Sequence, residues 1–275
     1  MAILLALLAA LTYGGSDFAA GLASRRIGAG PVAAGVQALS LLTVAVSLVL
    51  YRGIGPTWHA VGWGAASGIG NALGTLALYR GFAIGRMSVV ATLSAVLTAG
   101  APVLVGVGLG DHLSTAAAIG IVVAIPAIAL VSWQGGSTGA RAGVIEGAVS
   151  GIGFALLFIA LDRAGTRSGA WPLIAGQATA LVLLLPFALR TGRLAKAYRS
   201  AATPVIMGGI LGGASNLLFL AATGEGSLAI VAVLASLYPV ATILLARICL
   251  NERWTSLQAA GLVCAGIAVA LISSG

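Results

Sequence analysis

The sequence is short of charge. Only 7% of its 275 residues are Asp, Glu, Lys or Arg, and only six of those are acidic. Soluble domains carry roughly 25%, so a water-facing surface cannot be built from this chain. It has two histidines and two cysteines, with no CxxC and no Cys/His cluster. That leaves packing as the reading for Cys249 and Cys264 and gives no metal site or cofactor. HExxH is absent and nothing assembles a nucleophile with a base, so an enzyme is not expected. No P-loop is present for ATP. No apolar run alternates as a β-barrel strand does.

What is present is apolar. Hydrophobic residues make up 60%, glycine supplies 40 residues, and mean hydropathy is +1.10. Such a surface faces lipid, and the glycines suit closely packed membrane helices. The net charge of +8 comes from basic residues between apolar runs. It reads as membrane orientation, not as nucleic-acid binding. The first apolar run has no basic n-region and ends at Arg25 and Arg26, so it reads as a first membrane helix and not a signal peptide.

A spanning helix needs about 20 apolar residues. Ten such runs occur, near 2–22, 31–51, 60–79, 87–108, 114–133, 142–161, 170–189, 203–223, 227–246 and 255–273. The stretch 190–200, with Arg193, Lys196 and Arg199, reads as a solvated loop.

A shift of 141 positions superposes the two halves. Tyr13 falls on Phe154, Gly85 on Gly226, Gly120 on Gly261, and Asp111 on Glu252, within the run from Asn251. With one residue of slippage Gln37-Ala38 falls on Gln177-Ala178. The organisation expected is a first repeat at 1–134, a Gly/Ser-rich linker at 135–141 and a second repeat at 142–275. Five spans per repeat forces the second to enter from the opposite face. The fold class expected is therefore an all-α membrane protein of ten transmembrane helices in two inverted repeats, with a site between them near the midplane.

The loops on the N-terminal side hold three basic residues, Arg52, Arg163 and Arg167, and the opposite side holds the other eleven. The positive-inside rule then puts both termini outside the cytoplasm.

Polar groups inside membrane helices face protein or a water-filled cavity. Asp17 is the first candidate. It lies one turn after Tyr13 on the same face, about four residues from the expected end of the first helix. There it either pairs with Arg25 or Arg26 or lines a cavity and exchanges a proton. Gln37 and Gln177 are equivalent across the repeats. Asn71 and Thr75 stand four apart on the third helix, and Ser215 and Asn216 lie on the eighth. Ser236, Tyr238 and Pro239 form a unit in the ninth, where the proline frees a backbone carbonyl and suggests a kink or gate. Each of these polar groups could instead satisfy a neighbouring backbone. Glu146 reads as a helix-start residue, Glu225 as a loop residue, and Asp111 and Glu252 as capping or loop-pairing groups. GxxxG spacings at Gly70/Gly74, Gly106/Gly110, Gly147/Gly151 and Gly208/Gly212 read as packing seams, with homodimer contact the other reading.

The run LASLYPVATILLARICLNERWTSLQAAGLVCAGIAVALI, Leu234 to Ile272, resembles the end of an EamA-type member of the drug/metabolite transporter superfamily. Its marks are Pro239, Glu252, Gln258 and Gly261. Tyr13-Gly14-Gly15-Ser16-Asp17-Phe18 is similar to the family's first helix, with Tyr where Trp is commoner. The resemblance implies ten helices, export or uptake of small metabolites, amino acids or drugs, and coupling to protons or exchange. It also implies both termini in the cytoplasm, against the charge count. The expected partners are thus a small-molecule substrate, the bilayer of the plasma membrane and protons, with the chain a monomer or homodimer and no nucleic acid bound. An amino-acid or related metabolite exporter is the first reading, and a drug or nucleotide-sugar carrier the second. A channel differs by non-saturating flux, and a non-transporting structural protein would leave the repeat unused.

Overall fold

A computed structural model describes residues 1–49, 51, 53–84, 87–108, 110, 113–131, 143–192, 194–250 and 256–274. The linker 135–141 lies outside them, as do Arg52, Gly85, Arg86, Asp111, His112, Trp133, Arg193 and the run from Asn251 through Thr255. So do the side chains of Lys196, Arg247, Cys249 and Gln258.

The described residues are helical, without a strand. The helices are α1 (Ala2–Ile27), α2 (Ala29–Ser47), α3 (Trp58–Ile84), α4 (Met87–Gly108), α5 (Thr115–Val131), α6 (Val144–Ala164) and α7 (Trp171–Leu189). They continue with α8 (Leu194–Ser200), α9 (Ala202–Thr223), α10 (Leu228–Ala235), α11 (Tyr238–Leu250) and α12 (Ser256–Ser274). By length and composition α1, α2, α6, α7 and α9 can each cross a membrane. Shorter apolar stretches lie in α4, α5, α10–α11 and α12. α3 is longer than any of these, but Ser67, Asn71, Thr75 and its glycines dilute its hydropathy. The chain is a multi-pass integral membrane protein, and its exposed surface is correspondingly rich in Leu, Ile and Val.

Three expectations shift. α1 runs five residues past the expected end because Arg25 and Arg26 close its last turn instead of opening a loop. Cations are favourable at a helix C-terminus, so the pair stabilises the turn it was expected to terminate. Asp17 therefore lies well inside the helix. The stretch read as a loop at 190–200 contains a seven-residue helix, α8, pinned where the Tyr198 hydroxyl donates to the Pro31 carbonyl at 2.8 Å. That phenol stands outside the spans, and its burial pushes its pKa up from the ordinary value. The expected ninth helix is broken. α10 closes with Ser236 N–H donating to Ala232 O and Leu237 N–H to Leu234 O, and α11 begins at Tyr238. A continuous helix is opposed at this point. Pro239 has no N–H to donate, and its ring disfavours α geometry in the residue before it.

Close backbone approach builds the bundle. α3 packs on α6 and α7, α1 on α9, α10 and α11, and α2 on α7 and α9. α4 packs on α6 and α10, and α5 on α12. A methyl added to Gly153 would lie 2.6 Å from the Gly74 nitrogen and 2.7 Å from the Gly70 carbonyl oxygen. One added to Gly68 would overlap the Gly176 carbonyl oxygen. Gly147/Gly151 meets α4, and Gly208/Gly212 meets α1 and α2. The expected Gly106/Gly110 seam is not formed along a helix, because Gly110 lies beyond α4 with φ +100°.

The loops after α2 and α6 meet at one end. Ile54 N–H donates to Arg167 O at 2.9 Å, and Ala170 N–H to Tyr51 O at 3.0 Å. This sets Arg163 and Arg167 on the same side as the α2–α3 loop, as the charge count assumed. Glu146, in the first turn of α6, lies 3.6 Å from exposed Arg80.

Gly153→Val adds bulk against backbone that has no rotamer to yield. Overpacking costs about 1–3 kcal/mol, and here the neighbours are main chain. The expected outcome is a lower unfolding midpoint in mild detergent than for Gly62→Ala, where nothing lies within 4 Å of the added carbon.

Candidate functional site

Between these helices lies a cavity of about 50 Å³, room for a few waters. Seven of the ten residues expected in a substrate or ion pathway line it: Tyr13 and Asp17 on α1, Gln37 on α2, Asn71 and Thr75 on α3, Asn216 on α9 and Tyr238 on α11. Gln177 is buried beside it, and Ser236 and Pro239 are buried at the helix break outside its lining.

One wall is a network of amides. Gln37 Nε2 donates to the Gln177 carbonyl at 3.3 Å. Asn71 Nδ2 donates to Gln37 Oε1 at 3.2 Å and to Gln177 Oε1 at 3.4 Å. Thr75 donates to Asn71 Oδ1 at 3.0 Å. Gln37 and Gln177, which the sequence shift aligns, thus meet each other through Asn71.

A second wall joins α1 to α9. The Tyr13 hydroxyl donates to Asn216 Oδ1 at 2.8 Å, and Asn216 Nδ2 donates to Gly212 O at 2.9 Å. Ser16 donates to Gly208 O and Ser40 to Gly209 O, each at 2.8 Å. Phe158 stacks on Phe219 with ring centroids 4.0 Å apart and meets Tyr13 at 5.9 Å. On the third side Tyr238 donates to Ser94 at 3.3 Å, and Ser94 shares a 2.9 Å contact with Ser150.

Asp17 has no such partner. None of the hydrogen bonds among the described residues ends on its carboxylate, and no described cationic side chain lies within 4.0 Å of it. The pairing with Arg25 or Arg26 allowed by the sequence is not made. Tyr13, Tyr79 and Tyr238 line the same cavity.

Sequence reasoning missed Tyr79, Ser16, Ser40 and Thr98, which also line the cavity. Tyr79 was findable, because it continues the Asn71, Thr75 spacing by one more turn. Ser16, Ser40 and Thr98 sit in small-residue helices where a hydroxyl carries no distinguishing signal.

At Ser236 the side-chain oxygen is buried without a hydrogen-bond partner. It lies at the helix interruption three residues before Pro239, which has no N–H to donate.

A membrane-embedded, all-helical fold around a small polar cavity is the build of a membrane transporter. Residues 141–274 match the sequence model of the EamA-like transporter family. That match, over just under half of the chain, is to a family of the drug/metabolite transporter superfamily whose members are transporters and not enzymes. No curated protein matches the chain. A solved structure described as "Crystal structure of protein" is similar in fold, with a TM-score of 0.72 and 15% identity over 98% of this chain and 95% of that one.

Asn71→Leu removes the bridge and leaves two buried glutamine acceptors unanswered. Membrane side-chain hydrogen bonds average about 0.6 kcal/mol each, and those of Asn71 are long. The expected loss is about 1–2 kcal/mol, read as a lower unfolding free energy in detergent. In the Gln37→Leu background the same change should cost measurably less.

Proposed function

We propose that the chain is a secondary active transporter. It exports small metabolites, amino acids or related compounds, across the plasma membrane by alternating access, with proton coupling or exchange. The observation that carries this reading is the Asp17 cavity. A carboxylate deep in a membrane helix costs about 2.5–3.5 kcal/mol on insertion scales, and Asp17 gains neither an ion pair nor a described hydrogen bond in return. A structural membrane protein has no use for that cost. A carrier uses such a group to bind a substrate or a proton in turn.

Alternating access is supported by the packing. Let the first five helices exchange with α6, α7, α9, α10–α11 and α12. The contact of α1 with α9 then becomes that of α6 with α3, and α2 with α9 becomes α7 with α3. The contact of α1 with α10 and α11 becomes that of α6 with α4, while α2–α7 and α5–α12 map onto themselves. This exchange symmetry supports reading the chain as two repeats, 1–134 and 142–275, related by a two-fold axis. On that reading Asp17, Tyr13 and Gln37 come from the first and Asn216 and Tyr238 from the second, which would put the cavity between them.

A drug or nucleotide-sugar carrier is the second reading. Nucleotide sugars bring phosphates, and no basic side chain is among the described lining residues, which favours the drug.

The test is counterflow in proteoliposomes with a labelled panel of amino acids, amines and drugs. Saturable uptake is expected in wild type, reduced at least about tenfold in Asp17→Asn, a loss of about 1.4 kcal/mol. With vesicles acid inside, proton efflux through an antiporter should accelerate wild-type uptake and leave the variant unchanged. Uptake that never saturates would indicate a channel, and uptake blind to the gradient would remove the proton from the scheme.

A further inference from the structure

The cavity's polarity is one-sided. Asp17 is the lone charged side chain among its described lining residues. Most of the neutral donors that line the cavity are committed elsewhere. Tyr13 gives its proton to Asn216 and Tyr238 to Ser94. Asn71 gives its amide protons to the two glutamines, and Ser16 and Ser40 give theirs to α9 carbonyls. Tyr13, Tyr79 and Tyr238, on three different helices, line the same cavity as Asp17.

A bare carboxylate flanked by aromatic rings and lacking a counter-cation suits one ligand chemistry. Ring faces attract an ammonium through their quadrupole, and the opposite charge answers the carboxylate as it leaves water. A ligand carboxylate would find no described cation to meet and would stand against Asp17, a juxtaposition of like charges that interfaces avoid. We infer that the Asp17 cavity selects organic monocations, amines without a carboxylate, over zwitterionic amino acids and over anions. This rests on the transporter reading and narrows it: the compounds carried are the decarboxylated relatives of amino acids. Tyr13, Tyr79 and Tyr238 hold the ammonium, and Asp17 balances its charge.

Pairs of probes that differ by one carboxylate test this. Phenethylamine is set against phenylalanine, isoamylamine against leucine, ethanolamine against serine, and choline against glycine betaine. Thermal stabilisation of the purified full chain and counterflow in proteoliposomes are read for each. At least one amine should bind and be transported at least about tenfold more tightly than its carboxylated twin, since opposing charge alone exceeds one such factor. Asp17→Asn, close in shape, should abolish that preference while the protein remains monodisperse. Tyr79→Phe keeps the ring and should keep binding, whereas Tyr79→Leu should weaken it severalfold. If a carboxylated twin binds as well as its amine, cation selection is overturned and the carrier stands. If amino acids are transported and no amine binds, the inference fails in the same way. If nothing in either panel shows saturable transport, both readings fail.

Discussion

The structure depends on backbones that touch. Where α3 crosses α6, the Gly153 backbone lies against Gly70 and Gly74, and where α3 crosses α7, Gly68 lies against the Gly176 carbonyl. In lipid there is no hydrophobic gain from bringing two apolar helices together, because the tails are as apolar as the side chains. Association comes from dispersion over short distances and from hydrogen bonds that only short distances allow. The glycines therefore do more than permit packing. They set the depth to which Asn71, Gln37 and Gln177 are drawn together, and they let Ser16 and Ser40 reach the carbonyls of α9.

That closeness divides the cavity's polar groups into two kinds. The amides and serines spend their hydrogen bonds on one another or on backbone, which is what burial in lipid demands of them. Their hydrogen bonds are modest contributors, and their geometry could serve a purely structural end. Asp17 follows the other rule. Its charge is left to whatever enters the cavity, so its place cannot be explained by satisfaction within the fold. The contrast separates framework from site more sharply than polarity does.

Much of this was legible in the chain. Apolar runs of spanning length located the helices to within a few residues, because hydropathy in a membrane protein reports burial in lipid directly. Tyr13, Asp17, Asn71 and Asn216 stood out because a polar side chain inside an apolar run has few reasons to be there. The misreadings share a cause. Arg25 and Arg26 look like loop residues, and the charged stretch at 190–200 looks wholly irregular, because charge ends an apolar run but does not end a helix. The break before Pro239 was visible as a proline, yet a kink and a full interruption give the same sequence signal. Only the placement of Ser236 and Leu237 between α10 and α11 tells them apart. Tyr79 gives a weaker signal, because a tyrosine in an apolar helix reads as packing until its neighbours one and two turns away are seen to be polar.

The break has a mechanical consequence for the site. Thr242 donates to both the Gly14 carbonyl at 3.1 Å and the Tyr238 carbonyl at 3.2 Å, and Gly14 leaves no room for a side chain between α1 and α11. α1 is thus tied to α11 at the level of Tyr13 and Asp17. α10 is not tied to α11 by a continuous backbone ladder, because Pro239 cannot supply the bond. On the proposed alternating access, a change of angle between α10 and α11 is the motion that leaves the Asp17 wall intact. The carboxylate and Tyr238 would travel together with α1 and α11. The buried, unpartnered Ser236 hydroxyl stands at that joint.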